Sequence, residues 1–400
     1  MMSSINITPY FPFSRVNIFG QTVTWTESLI QARPDKRYKP ICYVCKNSFV
    51  TVHKWVQRAI RDLDFGPAQV TIICVYRQVF CLICGRFLVE DLEFFEPSRR
   101  VSKRLARYIY ELCKVLTVQD VARHLNLDWK TVKDIDKSFL EKEFGETDYT
   151  GLTILAVDEI AVKKGHDYMT VVLDYLTGRV VWMGEGRRAD TFMQFFDGMT
   201  DEQIIKLEAI AMDMWDPYIK AVKTKAPHMK IVFDLFHVVK EFNKVIDRVR
   251  IDEYNKASES DKKVIKGSKY LLLKNTENIR KMKDKEHLNR LLELNETISK
   301  VMILKDKLKL IWECKSPQEA KQQIDEWCTL AETVHHLSVS KFVKKIRRYE
   351  YGILNHCDYS IHTSILEGVN NKIKVIKRKS YGFHDNRYFS LKVIQAFSTS

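Results

Sequence analysis

The spacing of hydrophobic and polar residues predicts a mixed α/β region in the middle of the chain. Uninterrupted apolar runs of strand length predict buried strands at residues 152–157, 168–175, 179–183, 207–212 and 230–233. Between the third and fourth strands, three phenylalanines at helical spacing predict a helix over residues 189–199. Asp216 followed by Pro217 is a strong helix-start signal and predicts a second helix. The predicted order is therefore β-β-β-α-β-α-β.

The stretch that follows, residues 241–355, has a different pattern. It is dense in Lys, Glu and Leu and contains only two glycines and one proline. Because helix breakers are so few, we predict that this segment is all-α. Its basic and aromatic end is at residues 341–351. This end could contact DNA or a second subunit, or it could be a plain solvated helix face.

Composition narrows the class of protein. The 400 residues include 45% hydrophobic and 29% charged side chains, which is the balance of a globular chain of several domains. No apolar run approaches the roughly 18–20 residues that a membrane span needs, and the first residues do not resemble a secretory signal. The 65 basic residues exceed the 51 acidic ones by a net charge of +14, which points to nucleic acid or an anionic membrane surface as partner.

Two Cys-x-x-Cys pairs predict a metal site near the N-terminus. Their members are Cys42, Cys45, Cys81 and Cys84. Each pair can offer two thiolates from a tight turn, and four thiolates form the tetrahedral site that suits Zn²⁺. The strand-like residues between the pairs are typical of a zinc ribbon with a long insert. His53 and Cys74 are spare possible ligands, and a redox dithiol or simply buried thiols are the alternative.

The next segment has the pattern of a helix-turn-helix. Thr117 can cap a short helix, Asn126 makes a turn, and Asp128 can cap a second helix. The start of the second helix would face the major groove of DNA. The residues expected to contact DNA here are Arg99, Arg100, Lys103, Arg104, Lys130, Thr131 and Lys133. A plain helical hairpin with a solvated basic face is the alternative.

Acidic residues end three of the predicted strands. Asp158 follows the first strand, Asp213 the fourth and Asp234 the fifth. The predicted order is that of the ribonuclease H fold, in which the first and fourth strands are neighbours, so Asp158 and Asp213 are expected to meet at one edge of the sheet. Two close carboxylates repel unless cations lie between them, and oxygen ligands suit Mg²⁺ or Mn²⁺. Two such ions can activate a water or a 3′-hydroxyl at a phosphodiester.

A helix predicted over residues 364–379 offers a third acid. It has an apolar stripe on one side, and its polar side carries Glu367, Asn370 or Asn371, Lys374 and Arg378. A carboxylate followed by an amide and cations suits a metal ion and a DNA backbone, and we assign the DNA contacts to Asn371, Lys374 and Arg378. Ser364 lies three residues before Glu367 and completes a capping box, so a purely structural role for Glu367 stays open.

Four motifs, in this order along the chain, resemble those of the DDE transposases of bacterial insertion sequences, of the ISL3 family. They are DEIAVKKGHDY at 158–168, MDMWDPY at 212–218, FDLFHV at 233–238 and LEGVNNKIK at 366–374. The resemblance extends from about residue 42 to about residue 396. It implies a zinc ribbon, a helix-turn-helix and a ribonuclease H-like catalytic core that is interrupted by an all-α insertion.

The resemblance also implies roles for individual residues. The catalytic triad would be Asp158, Asp213 and Glu367, binding Mg²⁺ or Mn²⁺. Asp234 and His237 match a companion motif and are expected to support the site, and Asp234 is the main rival to Asp213 as second acid. Glu159 and Asp174 are weaker rivals. Lys163, Lys164 and His166 could contact DNA near the cut, or they could be exposed hairpin residues without a role in binding.

The predicted domain organisation combines these observations. It comprises an N-terminal segment at 1–36, the zinc ribbon at 37–96, the helix-turn-helix region at 97–145, the first part of the core at 150–240, the helical insertion at 241–355 and the second part of the core, with the Glu367 helix, at 356–400.

The resemblance implies a transposase that binds the terminal inverted repeats of an insertion sequence and catalyses metal-dependent strand cleavage and strand transfer. The expected partners are double-stranded DNA, from the repeats and from the target, and further copies of the chain in a homodimer or larger synaptic complex, without a membrane. The expected location is the bacterial cytoplasm, near the nucleoid. Two alternatives stay open: a catalytically inactive DNA-binding regulator, and a metal-dependent nuclease without strand transfer.

Overall fold

The fold is taken from a computed structural model that describes residues 10–162, 167–361, 364–380 and 382–398. The chain forms two compact units, the first ending at Lys142 and the second beginning at Glu143. Within the described residues, no helix is both long enough and apolar enough to cross a membrane.

The first unit contains a five-stranded sheet followed by helices. Its elements are β1 (Val16–Val23), β2 (Glu27–Pro34), β3 (Val50–Arg61), β4 (Gln69–Cys81), β5 (Arg86–Val89), α1 (Lys103–Val115), α2 (Val118–Leu125) and α3 (Trp129–Phe144). Strand β4 is central: it pairs in parallel with β2 and antiparallel with β3 and β5, and β1 lies beyond β2. Strands β1 and β2 lie in the N-terminal segment at 1–36, for which no strand is predicted from the sequence. Every second residue of β2 is buried, so one face of this strand lies in the core.

The predicted caps of the helix-turn-helix are confirmed. The side chain of Thr117 accepts a hydrogen bond from a backbone N–H in the first turn of α2, and Asp128 Oδ1 accepts one from the N–H of Lys130 at 2.9 Å. Asn126 ends α2 in the left-handed conformation, with φ at 49°, and so redirects the chain toward α3.

The second unit begins with the predicted α/β order, with one additional short helix before the fourth strand. Its first elements are β6 (Ile154–Ala161), β7 (Tyr168–Asp174), β8 (Val180–Glu185), α4 (Ala189–Asp197), α5 (Asp201–Ile205), β9 (Ala209–Met212), α6 (Asp216–Lys225) and β10 (Lys230–Phe233). The sheet order is β10-β9-β6-β7-β8, so the first and fourth strands of this unit, β6 and β9, are neighbours as predicted. Strands β6, β9 and β10 are mutually parallel, while β7 pairs antiparallel with both of its neighbours, β6 and β8.

The rest of the second unit is helical within the described residues. Its helices are α7 (Leu235–Lys256), α8 (Glu259–Ile265), α9 (Lys269–Leu273), α10 (Met282–Leu294), α11 (Glu296–Leu310), α12 (Pro317–Glu332), α13 (Leu337–Leu354), α14 (Ser364–Lys379) and α15 (Asn386–Phe397). Helices α7 to α13 therefore bear out the helical pattern of residues 241–355.

Each face of this sheet is covered, because side chains alternate between the two faces along a strand. Leu155 and Val157 of β6 belong to a core that includes α4, α6 and the helices α7 to α13. Ala156 and Ile160 of the same strand belong to a second core, formed with α14 and α15. The apolar stripe predicted for the helix at 364–379 lies in this second core, so α14 packs directly on the sheet.

Candidate active site and metal centre

Three acidic residues lie at corresponding positions of adjacent parallel strands. Ala156 of β6 pairs with Ala211 of β9, and Asp158 and Asp213 each follow two residues later. Phe233 of β10 pairs with Met212, the residue directly before Asp213, and Asp234 follows Phe233. The prediction that Asp158 follows the first strand is wrong, because pairing with β7 continues β6 to Ala161. The register nevertheless places Asp158 level with Asp213 and Asp234, which directly follow β9 and β10, in the spatial order Asp158, Asp213, Asp234.

Asp158, Asp213 and His237 form a possible metal-binding cluster. One ligand atom from each of the three residues lies within 4.8 Å of the others. Burial raises the pKa of Asp158, and the nearby charge of Asp213 raises it further. For His237, burial alone would lower the pKa, but hydrogen bonds to Asp213 and Asp234 outweigh it and raise the pKa to about 10. An imidazolium therefore lies where it compensates neighbouring carboxylates.

Asp234 differs from Asp213 in the number of bonds it makes inside the protein. Asp234 Oδ1 accepts the backbone N–H of Phe236 at 2.9 Å and so caps α7, while Oδ2 contacts His237 Nδ1 at 2.9 Å. Its side chain is 5% exposed, against 32% for Asp213. Asp234 therefore fixes His237 and the start of α7, and the supporting role of Asp234 and His237 stays a prediction.

Helix α14 reaches the acidic edge through an amide. Asn370 Nδ2 donates to Asp158 Oδ2 at 2.5 Å, and Lys377 Nζ donates to the carbonyl of Ala161 at 3.1 Å. Glu367 lies one helical turn before Asn370 and is exposed. Of the three predicted catalytic acids, two are thus in the cluster, and the third is on the helix that touches it. The side chain of Ser364 is outside the described residues, as are Lys163, Lys164 and His166.

The other predicted contacts of α14 point to solvent. Asn371, Lys374 and Arg378 are all exposed, so they are available to an external partner. Asn370, the alternative to Asn371 in the sequence analysis, is the amide that faces the acids.

A cavity of about 350 Å³ opens beside the acids. It is lined by acidic residues of the strand ends and by lysines of α7 and α13, among them Glu159, Asp213, His237, Lys240, Lys244 and Lys345. Burial and then the charges of Asp158 and Asp213 raise the pKa of Glu159. The sequence analysis did not single out these lysines; only the folding of α7 and α13 toward the strand ends brings them to the acids.

The four cysteines of the two Cys-x-x-Cys pairs come together in the first unit. The Sγ atoms of Cys42 and Cys84 are 3.9 Å apart and those of Cys45 and Cys81 are 3.5 Å apart. The backbone N–H of Cys84 donates to Cys81 Sγ at 3.4 Å and helps to lower the pKa of that thiol to about 7. Four converging sulfurs are a donor set that fits Zn²⁺.

The two spare ligands considered above lie elsewhere. Cys74 is fully buried in the core of the sheet, and His53 packs on the ring of Phe87 at 4.5 Å. The cysteine cluster of the described residues contains neither.

The predicted DNA-binding residues of the first unit fall into two groups. Arg100, Lys103, Lys130 and Thr131 are exposed, and Lys133 is half-buried. Arg99 and Arg104 are held by internal contacts: Arg99 pairs with Glu96 at 3.2 Å and bonds to Ser138, and Arg104 pairs with the fully buried Asp62. A cavity of about 540 Å³ is lined by Arg99, Lys103, Arg107 and Lys142, so this face is strongly basic.

Comparison with known proteins decides the family. A family model described as a transposase matches residues 155–393, which include the strands and helices that carry the acidic cluster. The chain belongs to the ISL3 family of transposases. A second model, described as the helix-turn-helix domain of transposase family ISL3, matches residues 90–140. The predicted helix-turn-helix and the stated resemblance are thereby confirmed.

Individual relatives agree. The chain is 36% identical over 360 residues to the transposase for insertion sequence element IS1001 of Bordetella parapertussis, covering 89% of this chain and 88% of that protein. It is 24% identical over 350 residues to the transposase for insertion sequence element IS1557 of Mycobacterium tuberculosis, covering 82% of this chain and 78% of that protein. The chain is therefore an insertion-sequence transposase with a DNA-binding helix-turn-helix domain.

Proposed function

We propose that this transposase cleaves DNA at the ends of its element and joins the freed 3′-hydroxyl to target DNA, using Asp158, Asp213 and Glu367 on a ribonuclease H-like core. One observation carries the assignment. Asp158, inside β6, and Asp213, directly after β9, lie at the same level of neighbouring parallel strands, and α14 contacts Asp158 through Asn370, one turn from Glu367. The helix that holds the third acid therefore docks on the edge where the first two meet.

The donor set fits divalent magnesium or manganese. Asp158 and Asp213 present carboxylate oxygens, which are the ligands that these hard cations prefer, and Glu367 would supply the third carboxylate. A pair of such ions, when bound, activates the attacking oxygen and offsets negative charge on the leaving oxygen. The protein's own part is to fix the ligands: Asn370 orients Asp158, and His237 holds Asp213 while Asp234 holds His237.

Binding of the terminal inverted repeats belongs to the first unit in this proposal. Lys130 and Thr131 lie in the first turn of α3, which would enter the major groove, and Arg100 and Lys103 would contact phosphates. The cysteine cluster would hold Zn²⁺ in a zinc ribbon, closing the turn at Cys42 on the turn at Cys81 and so fixing the sheet beside the helices. In the second unit, the exposed Asn371, Lys374 and Arg378 would contact the DNA that enters the active site. Joining two ends requires two active sites, so a homodimer or larger complex would act.

Single carboxylate substitutions test the triad. The full chain is mixed with a labelled duplex that carries the inverted repeats flanking its gene, with Mg²⁺ present. Asp158→Asn, Asp213→Asn and Glu367→Gln should each slow cleavage at least about a hundredfold, because each removes a metal ligand, while duplex affinity stays unchanged. Glu202→Gln, an exposed change on α5, is the matched control and should cleave like the unaltered chain.

Each other outcome has a defined meaning. If Asp213→Asn cleaves normally and Asp234→Asn does not, the second acid is Asp234. If Glu367→Gln is fully active, Glu367 only caps α14. Cleavage without joining identifies a nuclease, and binding without cleavage by the unaltered chain identifies a DNA-binding regulator.

A further inference from the structure

A second and larger cavity lies next to the active site. It has a volume of about 1220 Å³ and is bounded by the start of α4 and by α6. Trp215 and Arg187 line both this cavity, here called the α6 groove, and the 350 Å³ cavity beside the acids. A ligand in the α6 groove could thus contact two side chains that also line the cavity beside the acids.

The α6 groove has an excess of positive charge. Its cations are Arg187, Arg188, Lys220, Lys223 and Arg348, and its acids are Glu185 and Asp216. One acid is already paired, because Asp216 bonds to Arg348 at 3.0 Å and to the hydroxyl of Tyr349 at 2.7 Å. Lys220 and Lys223 lie one turn apart on the exposed side of α6. Such a groove favours a polyanion over a neutral or acidic ligand.

Planar side chains are stacked at the wall shared with the active site. The guanidinium of Arg187 lies 4.1 Å from the ring centroid of Tyr168 and 5.1 Å from that of Trp215. Trp215 Nε1 donates to the carbonyl of Arg187 at 3.2 Å, and Arg187 also reaches Glu159 at 3.4 Å. The assembly is held in place from two sides, yet Trp215 is still 37% exposed. A preorganised aromatic surface of this kind can accept a nucleobase.

We propose that the α6 groove binds a single-stranded segment of DNA adjoining the phosphodiester that is cut, with its phosphates on Lys220 and Lys223 and an unstacked base on Trp215. This inference rests on the proposed function, which places the cut at Asp158 and Asp213. Aromatic and cationic side chains in one groove suit a single strand, whose bases have open faces. In a duplex the base faces are covered by neighbouring bases, so Trp215 could not stack on one.

Strand binding by the full chain tests the groove. The probe is a fluorescent single strand of about 10 nucleotides of arbitrary sequence, compared with a duplex of that sequence by anisotropy. Trp215→Ala should weaken single-strand binding about tenfold, and Trp215→Phe, which keeps a ring, should retain most of the affinity. Duplex affinity should change less than about twofold in both variants, since duplex binding belongs to the helix-turn-helix.

Charge variants test the phosphate contacts. Lys220→Ala should lower the salt dependence of single-strand binding, by about 0.7 in the slope of log affinity against log salt. Lys206→Ala removes an equal charge from the exposed end of α5, outside the groove, and should leave that slope unchanged. Both lysines are exposed, so neither change should affect folding.

Photocross-linking locates the strand. A 5-iodouracil next to the cleavage position should form a cross-link to the peptide that contains Trp215. The proposal is overturned if Trp215→Ala binds the single strand normally, if it weakens duplex and single strand equally, if Lys206→Ala and Lys220→Ala behave alike, or if the cross-link maps to the first unit. Asp158→Asn keeps the two proposals apart: it should bind the strand normally without cutting, and cutting by this variant would refute the active site but not the groove.

Discussion

Replacing Arg104 by Ala should destabilise the first unit, because Arg104 compensates a buried charge. The Asp62 side chain is fully buried, and Arg104 Nε donates to its Oδ1 at 2.8 Å while Nη2 contacts Oδ2. Ser102 Oγ donates to the same Oδ1 at 2.5 Å. Arg104 Nη1 also donates to the carbonyl of Tyr10 at 2.6 Å. Truncation would remove the positive charge from beside the carboxylate while the Ser102 hydroxyl continued to donate to it.

The expected loss follows from the cost of an unpaired buried charge. Removing one partner of a buried ion pair costs about 3–5 kcal/mol. Because Ser102 still bonds to Asp62, and because the Arg104 side chain is 28% exposed, we expect the lower end, about 3 kcal/mol. With a urea slope of about 1–3 kcal/mol per molar, the unfolding midpoint of the first unit should fall by about 1–3 M.

Urea unfolding of the full chain, followed by circular dichroism, measures this loss. Arg100→Ala is the matched control, since Arg100 is exposed and should cost less than about 0.5 kcal/mol. Asp62→Asn combined with Arg104→Ala should recover part of the stability, because a neutral amide needs no counter-charge. A loss below about 1 kcal/mol for Arg104→Ala, or no recovery in the double variant, would refute the reasoning. In that case Arg104 would be free to act as the DNA contact that the sequence predicts.

Three further outcomes are expected. Cys81→Ser should lose bound zinc, measured by elemental analysis, whereas Cys357→Ser, outside the cluster, should keep it. Gly352→Ala should lower stability by about 1–3 kcal/mol, because a Cβ there would lie 2.4 Å from the Phe233 ring. Gly368→Ala, with open space around it, should instead stabilise α14 by about 0.5–1 kcal/mol. Thermal unfolding distinguishes the two variants. Burial lowers the pKa of Lys305 to about 8 from its usual 10.5, so between those pH values the unfolded chain binds more protons than the folded chain. As the pH rises through this range, the unaltered chain should therefore gain stability relative to Lys305→Met. Urea curves at neutral and alkaline pH would show no such gain if Lys305 titrates normally.

The parts of the fold that depend on local pattern were predictable. The caps at Thr117 and Asp128, the turn at Asn126 and the helix start at Asp216 are set by neighbouring residues, and the structure has each of them. Strands β1 and β2 were missed, because the alternating burial of β2 is not matched by an alternation of apolar and polar residues in its sequence. Strand β1 is largely exposed, so its side chains carry little pattern, and β2 is specified by parallel pairing with β4, more than thirty residues away in sequence.

The candidate site shows the same division. Asp158 and Asp213 could be paired from the strand order, because the register of parallel neighbours is regular. The choice of Asn370 over Asn371 as the amide facing Asp158 depends on the exact rotation of α14 on the sheet, which residue spacing leaves open by one position. The ion pair of Arg104 could not be predicted from the sequence, because its partner, Asp62, lies far from it along the chain.

The helical insertion leaves the sheet and returns to the same strand. The chain departs after Phe233 into α7, and Asn355, just after α13, donates its side-chain amide to the carbonyl of Ile231 at 2.8 Å. Gly352 of α13 lies directly against Phe233. The segment from α7 to α13 therefore begins and ends against the same strand, β10. Because both of its ends are held there, its length does not determine where α14 begins. We therefore expect a change in the length of α8 to α12 to leave the position of Glu367 unaltered, whereas a change at the contact of α13 with β10 would affect the acidic edge.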